Sequence, residues 1–472
     1  MVFNSIEFLF FLPVVFILYW FVSQRNLAIQ NCLILLASYY FYACWDWRFV
    51  FLLLASTFIG FGFGLAIEYS RWKKLALWGG LLCNILLLGV FKYFNFFSQS
   101  AADLIHALGF KTSPYFIDIA LPVGISFYTF HGMSYLIDVY NKKITPTRNF
   151  IDYSVFASFF PLLVAGPIER ATHLLPQVQN KRTFDYTQAV AGTRLILWGL
   201  FKKIVIADTL ATVVDKVYLH PEYYSGSTLL LTTIYFSFQI YCDFSGYSDI
   251  AIGTGKLFGF ELLSNFRFPY FSRNIAEFWR RWHISLSSWF RDYLYIPLGG
   301  SKVGKLKAIR NTFIIFLVSG LWHGANWTFV LWGGINALLF IPLLLSNKNR
   351  KFATSVVAED RVWPTLKEVG QMVITLLLVS LARVFFRSPN IETATNYFGL
   401  MTHKLFTLPE FLSLLVFILL FVVLEWTQRR DERNVFQIER PVYKQALYLF
   451  MAVMIVFHHK YIDTTQFIYF QF

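Results

Sequence analysis

Residues 311–341 read NTFIIFLVSGLWHGANWTFVLWGGINALLFI. The stretch carries no Asp, Glu, Lys or Arg. It exceeds the ~20 apolar residues that cross a hydrocarbon core. It therefore reads as one long membrane span or as two shorter or broken helices. Its single histidine, His323, stands among Phe, Leu, Val, Trp and Gly.

The composition around this stretch is of the same kind. The chain has 472 residues, 57% hydrophobic, 20% aromatic and only 14% charged. A soluble domain carries about 25% charged residues. Mean hydropathy is +0.53. Such a surplus of apolar surface excludes a soluble enzyme, a disordered chain and a nucleic-acid binder, and points to a polytopic membrane protein. The net charge of +14 suits loops in which Lys and Arg fix topology. Cys32, Cys44, Cys83 and Cys242 stand singly, so neither a disulfide framework nor a zinc site is indicated. The opening 22 residues lack a basic leader and a cleavage site, and read as a retained first span.

Apolar runs lie near 6–22, 27–45, 48–67, 75–97, 115–139, 150–165, 189–214, 228–258, 311–341, 369–386, 411–427 and 443–459. They predict an all-α transmembrane bundle of about 11 spans. No linker, low-complexity tract or internal repeat divides the chain, so 1–472 reads as a single integral-membrane domain. Arg25, the group Arg71, Lys73 and Lys74, and the group Lys142, Lys143 and Arg148 follow alternate spans. That alternation places the N-terminus outside and these loops in the cytoplasm.

Segment 261–310 differs from the rest. It holds Arg267, Arg273, Arg280, Arg281, Arg291, Lys302, Lys305, Lys307 and Arg310, interleaved with Phe278, Trp279, Trp282, Trp289 and Tyr295. Ile275–Leu294 has helical spacing without a continuous apolar run, which predicts an amphipathic helix at the cytoplasmic face. Arg280, Arg281 and Arg291 suit the phosphates of a donor molecule. An interfacial anchor of Arg and Trp is the competing reading.

Polar groups inside apolar spans are costly and mark function by default. On a helix, Ser319 lies four residues before His323 and Asn326 three after, so the three share a face. His323 there is either a general base or a core histidine bonded to a neighbouring helix. His283 follows Arg280, Arg281 and Trp282 and is the second candidate. Asp243 and Asp249, in the run YCDFSGYSD, are suited to orienting a histidine or to an ion path. No HExxH, phosphate-binding loop, dinucleotide fingerprint or calcium loop occurs.

Three motifs together, YCDFSGYSD (241–249), NFRFPYFSRNIAEFWRRWHISLSSWFRDYLYIPLGG (265–300) and GLWHGANWTFVLWG (320–333), carry a resemblance. They resemble the membrane-bound O-acyltransferases (MBOAT), in particular the bacterial alginate O-acetyltransferase branch. MVFNSIEFLFFLP, LPVGISFYTFHGMSYLIDVY, FFPLLVAGPIER, KKIVIADTL and the closing FIYFQF are similar to that branch too. The resemblance implies helices around a central funnel or tunnel, with residues 115–340 as the motif-bearing catalytic region. It maps the family's near-universal histidine to His323 and its second histidine to His283. It implies acetyl transfer from acetyl-CoA or an acyl carrier thioester to an envelope polysaccharide, completed with a separate envelope acetyltransferase. It implies a bacterial inner-membrane location and no bound cofactor.

On this reading His323 deprotonates an acceptor hydroxyl, Asn326 or a backbone N–H holds the oxyanion, and Ser319, Trp322 and Asp243 support or orient. A covalent acyl relay is the variant of that mechanism. D-alanyl transfer to a cell-wall polymer, and a transporter or flippase using Asp243 and Asp249, are the alternatives.

Overall fold

The computed structural model describes residues 1–23, 26–118, 120–301, 303–461 and 467–468, and contains no strand among them. Arg25 and Lys302, named above, lie outside the described residues, as do the last four residues of FIYFQF. By its contacts the chain forms two compact units. The first is Met1–Ala189 with Thr254–Leu263, the second Val190–Gly253 with Ser264–Phe472.

The first unit contains α1 (Ile6–Ile17), α2 (Leu27–Ala43), α3 (Arg48–Tyr69), α4 (Lys73–Leu88), α5 (Phe94–Ala107), α6 (Ile125–Tyr140), α7 (Phe150–Ser158) and α8 (Ala171–Gln179). Helices α3, α4 and α6 pack on one another, and α7 packs on α2. Two sequence expectations change here. The apolar run 115–139 becomes helical only at Ile125. Pro122 has no N–H to give, and Gly124 at φ +72 reverses the chain just before the helix. The run 150–165 breaks after Ser158, with Pro161 seated in the first turn of a separate short helix.

The second unit holds most of α9 (Tyr186–Leu200) and α11 (Gly226–Leu257), and all of α10 (Asp208–Leu219). It continues with α12 (Ile275–Arg281), α13 (Ile284–Phe290), α14 (Lys305–His323) and α15 (Trp327–Leu345). It ends with α16 (Leu366–Arg387), α17 (Ile391–Met401), α18 (Leu415–Gln428) and α19 (Pro441–Tyr461). The run 228–258 is one unbroken helix, α11. The run 311–341 is two, α14 and α15, which meet as a hairpin.

Among the described residues, five helices are long and apolar enough to cross a membrane: α3, the continuous Lys73–Ala107 stretch, α15, α16 and α19. Ile6–Val22, Leu27–Ala43 and Leu412–Gln428 are apolar but shorter. The protein is thus a multi-pass helical membrane protein. The remaining apolar runs are broken by proline or carry charge. Lys202 and Lys203, for example, lie within a π-helical turn, Phe201–Ala207, between α9 and α10. A π-turn admits one extra residue per turn, and both lysines are buried and paired with aspartates.

Candidate active site

The site is built from the α14–α15 hairpin and the short helices α12 and α13. The hairpin is tight because two positions lack a side chain. A Cβ on Gly320 would strike the Phe329 carbonyl oxygen, and one on Gly333 would strike that of Phe316. Helix α14 ends at His323, with Gly324 extended at φ −156 as its C-cap. Asn326 then caps α15: its Oδ1 accepts the Thr328 N–H at 3.0 Å, and its Nδ2 donates to the Pro389 carbonyl at 2.8 Å. The shared face expected for Ser319, His323 and Asn326 therefore holds only for the first two. The helix stops before Asn326, whose amide serves the next helix.

His323 is 4% exposed and packed edge to face by three rings. Trp322, Trp332 and Phe386 have centroids 4.9, 5.2 and 5.3 Å from the imidazole. Such contacts hold the ring in a fixed orientation.

The expected amphipathic helix Ile275–Leu294 is interrupted at Trp282–His283. His283 takes a left-handed conformation, φ +44, and separates α12 from α13. The segment Asn265–Arg267 holds this turn from outside. Arg267 N–H donates to the Arg281 carbonyl at 3.0 Å, and Ile284 N–H to the Asn265 carbonyl at 2.8 Å. The Asn265 side chain accepts from Ser285 Oγ at 2.6 Å and donates to Ser248 Oγ at 3.1 Å. A histidine at positive φ is uncommon, and such strain clusters at functional sites.

His283 is 1% exposed. Its ring meets Phe244 at 4.7 Å and Trp322 at 5.7 Å between centroids. Neither ring nitrogen has a hydrogen-bond partner among the described residues. His283 lies outside the spanning helices, and burial pulls its pKa down to about 3. It is a neutral imidazole at physiological pH. The cause is desolvation by burial, although Arg280 and Arg281 are close in sequence.

His323, His283, Ser319 and Arg291 line one cavity of about 240 Å³. That is well above the ~10–15 Å³ needed for one water. The wall is mainly apolar, with Trp279, Trp282, Leu286 and Phe316 among its residues. The sequence reading misses Ser287, Asn349 and Arg350, which also line it.

The other expected participants are placed elsewhere. Trp322 is buried between the two imidazoles. Arg281 is 2.8 Å from Glu277 and donates to the Ser355 and Arg267 carbonyls, and Arg280 donates to the Asn349 carbonyl at 2.6 Å. Of the three arginines expected to bind donor, Arg291 lines the cavity, while Arg280 and Arg281 tie chain segments together. Asp243 pairs with Lys203 at 2.8 Å and Asp249 with Lys202 at 2.7 Å, so the carboxylates expected beside a histidine are engaged by lysines. His131, in the first unit, accepts the Glu169 N–H at 3.0 Å and is a core histidine.

The chain belongs to the membrane-bound O-acyltransferase family, whose model matches residues 82–384. It is an O-acyltransferase. It is 41% identical over 411 residues to the probable alginate O-acetylase AlgI of Pseudomonas aeruginosa, covering 85% of this chain and 75% of that one. It is 36% identical over 427 residues to the peptidoglycan O-acetyltransferase of Helicobacter pylori, covering 84% and 78%. It is 28% identical over 229 residues to the teichoic acid D-alanyltransferase of Bacillus subtilis, covering 46% and 57%.

Proposed function

We propose that the protein acetylates hydroxyl groups of an extracellular or cell-envelope polysaccharide of the alginate type, using a cytoplasmic thioester as donor. The observation that carries this reading is the joint presence of His323 and His283 on one small, mainly apolar cavity. His323 takes the proton from the acceptor hydroxyl. The oxygen attacks the thioester carbonyl, the C–S bond breaks, and the thiolate leaves with the proton held by His323. General-base help of this kind contributes roughly 10²–10⁴-fold. His283, neutral by burial, offers a hydrogen bond to the reacting groups or a second proton station. Arg291 and Arg350 receive the donor's phosphates, as acetyl-CoA or an acyl carrier would present them.

The described lining supports acetyl over D-alanyl transfer. It contains Arg350 and Arg291, the latter paired with Asp292 at 2.7 Å, and no carboxylate of its own, so a cationic aminoacyl group would find no partner on the wall and would meet Arg350 as like charge. Lysine pairing of Asp243 and Asp249 weighs against an ion path through these aspartates. The similarities to the alginate and peptidoglycan acetylating proteins support a polysaccharide acceptor. An inner-membrane location and a separate envelope acetyltransferase that completes the transfer belong to the same reading.

The test is the acetate content of envelope and secreted polymers in the parent, a deletion strain, and the deletion complemented with wild type or His323→Ala at matched membrane levels. Loss of polymer acetate in the deletion, restored by wild type and not by the variant, is the expected result. Restoration by His323→Ala overturns the mechanism.

A further inference from the structure

Phe467 and Ile468 lie far along the chain from the cavity residues, yet they are 0% and 3% exposed. Two sets of contacts account for their burial. The Ile468 N–H donates to Asp243 Oδ2 at 2.7 Å. The other Asp243 oxygen is 2.8 Å from Lys203 Nζ, which is also 2.8 Å from Asp208 Oδ1. A buried carboxylate is tolerated only when its oxygens are satisfied. The lysine serves one and the Ile468 backbone serves the other. Asp243 is therefore the anchor for this segment.

The Phe467 ring meets Tyr247 with centroids 4.6 Å apart and Phe244 with centroids 6.0 Å apart. Phe244, one residue after the anchor on α11, is the ring that meets His283 at 4.7 Å and 83°. Both His283 nitrogens lack a hydrogen-bond partner among the described residues, so packing sets the orientation of this imidazole. Trp322 bounds it on one contact and Phe244 on another.

We propose that Phe467–Ile468 is a positioning element for His283: Asp243 pins the Ile468 backbone, and the Phe467 ring holds Phe244 against the imidazole. The inference rests on His283 acting in the reaction as proposed above. Close-packed rings transmit a lost contact because nothing else fills the gap. Small displacements of a reacting group cost up to about 10²-fold in rate.

The experiment uses membranes containing the full chain, acetyl-CoA as donor, and the envelope polysaccharide fraction of the deletion strain as acceptor. Phe467→Ala, Phe467→Leu, His283→Ala and the two double variants are compared. Phe467→Ala is expected to lower kcat about tenfold with the donor KM within about twofold, and Phe467→Leu to recover most of the loss. In the His283→Ala background either substitution should cost less than about twofold, because its route of action is gone. Equal losses in both backgrounds, or an unchanged kcat in Phe467→Ala, overturn the inference. If Phe467→Ala does not accumulate in membranes, the Phe467→Leu pair decides by the same comparison. Full turnover of His283→Ala alone overturns the role given to His283. An impaired His283→Ala beside an unaffected Phe467→Ala overturns only the positioning.

Discussion

The guanidinium carbon of Arg383 lies 4.3 Å from the centre of the Trp282 ring. Arg383 is buried at 3% exposure on α16 and donates to the Tyr270 hydroxyl at 2.6 Å. Trp282 lines the cavity and directly precedes His283, so a buried cation supports the turn that presents this imidazole. A desolvated cation–π contact is worth about 2 kcal/mol.

Replacing Arg383 by Ala removes the cation from Trp282 and the donor from Tyr270. Stability is expected to fall by about 2–3 kcal/mol, read from thermal unfolding in detergent. Acetyl transfer is expected to fall with it. Arg383→Lys keeps the charge but loses the flat face and the fork of donors, so it should restore less than half of either loss. Full recovery with lysine would mean that charge alone matters here.

Arg291 and Arg350 line the cavity that both histidines face. If they hold the donor's phosphates, each alanine variant raises the donor KM about three- to tenfold and leaves kcat within about twofold, the pattern of lost ground-state binding. The effect should shrink as salt rises, since part of the attraction is screened. Arg281→Ala should behave differently. It removes one of the two guanidiniums that pair with the buried Glu277, leaving Arg273 as its partner, and so lowers protein stability first.

Gly320→Ala tests the hairpin. The added methyl meets the Phe329 carbonyl oxygen and forces α14 and α15 apart. Overpacking of this kind costs about 1–3 kcal/mol. It also moves His323, three residues on, so activity is expected to fall by more than the stability loss explains. Gly370→Ala, with open space at its Cβ position within α16, is the matched control: it should leave activity unchanged and, as a helical alanine, raise stability by up to about 1 kcal/mol.

His323 and Ser319 are legible in the sequence because polar groups stand out in an apolar run, and one helical turn separates them. Asn326 is misplaced by the same periodicity. Gly324 and Asn326 are a helix stop and a helix start, and those local signals outweigh the spacing. His283 is legible as a candidate but not in its geometry. Its positive φ is imposed by Asn265 and Arg267, which the sequence does not show to be neighbours. Arg383, Arg350 and the pairing of Asp243 with Lys203 are products of tertiary packing between distant segments. The basic stretch 267–291 looks uniform in sequence, whereas Glu277 converts Arg273 and Arg281 into buried struts and leaves Arg291 at the cavity.

The burial of His283 sets a pH dependence with a definite sign. Its folded-state pKa lies at about 3, against an ordinary value of 6.5. Between those values the unfolded chain binds a proton that the folded chain does not. Stability is therefore fully present above pH ~6.5 and is lost as pH falls toward the folded pKa, by up to about 1.4 kcal/mol per unit. The melting temperature in detergent is expected to drop from pH 7 to pH 4, and to drop less in His283→Asn, which carries no titrating ring. At neutral pH the same variant should melt close to wild type while losing acetyl transfer. Identical pH slopes for the two proteins would show that another group governs acid stability. Retained transfer by His283→Asn would remove the neutral imidazole from the mechanism.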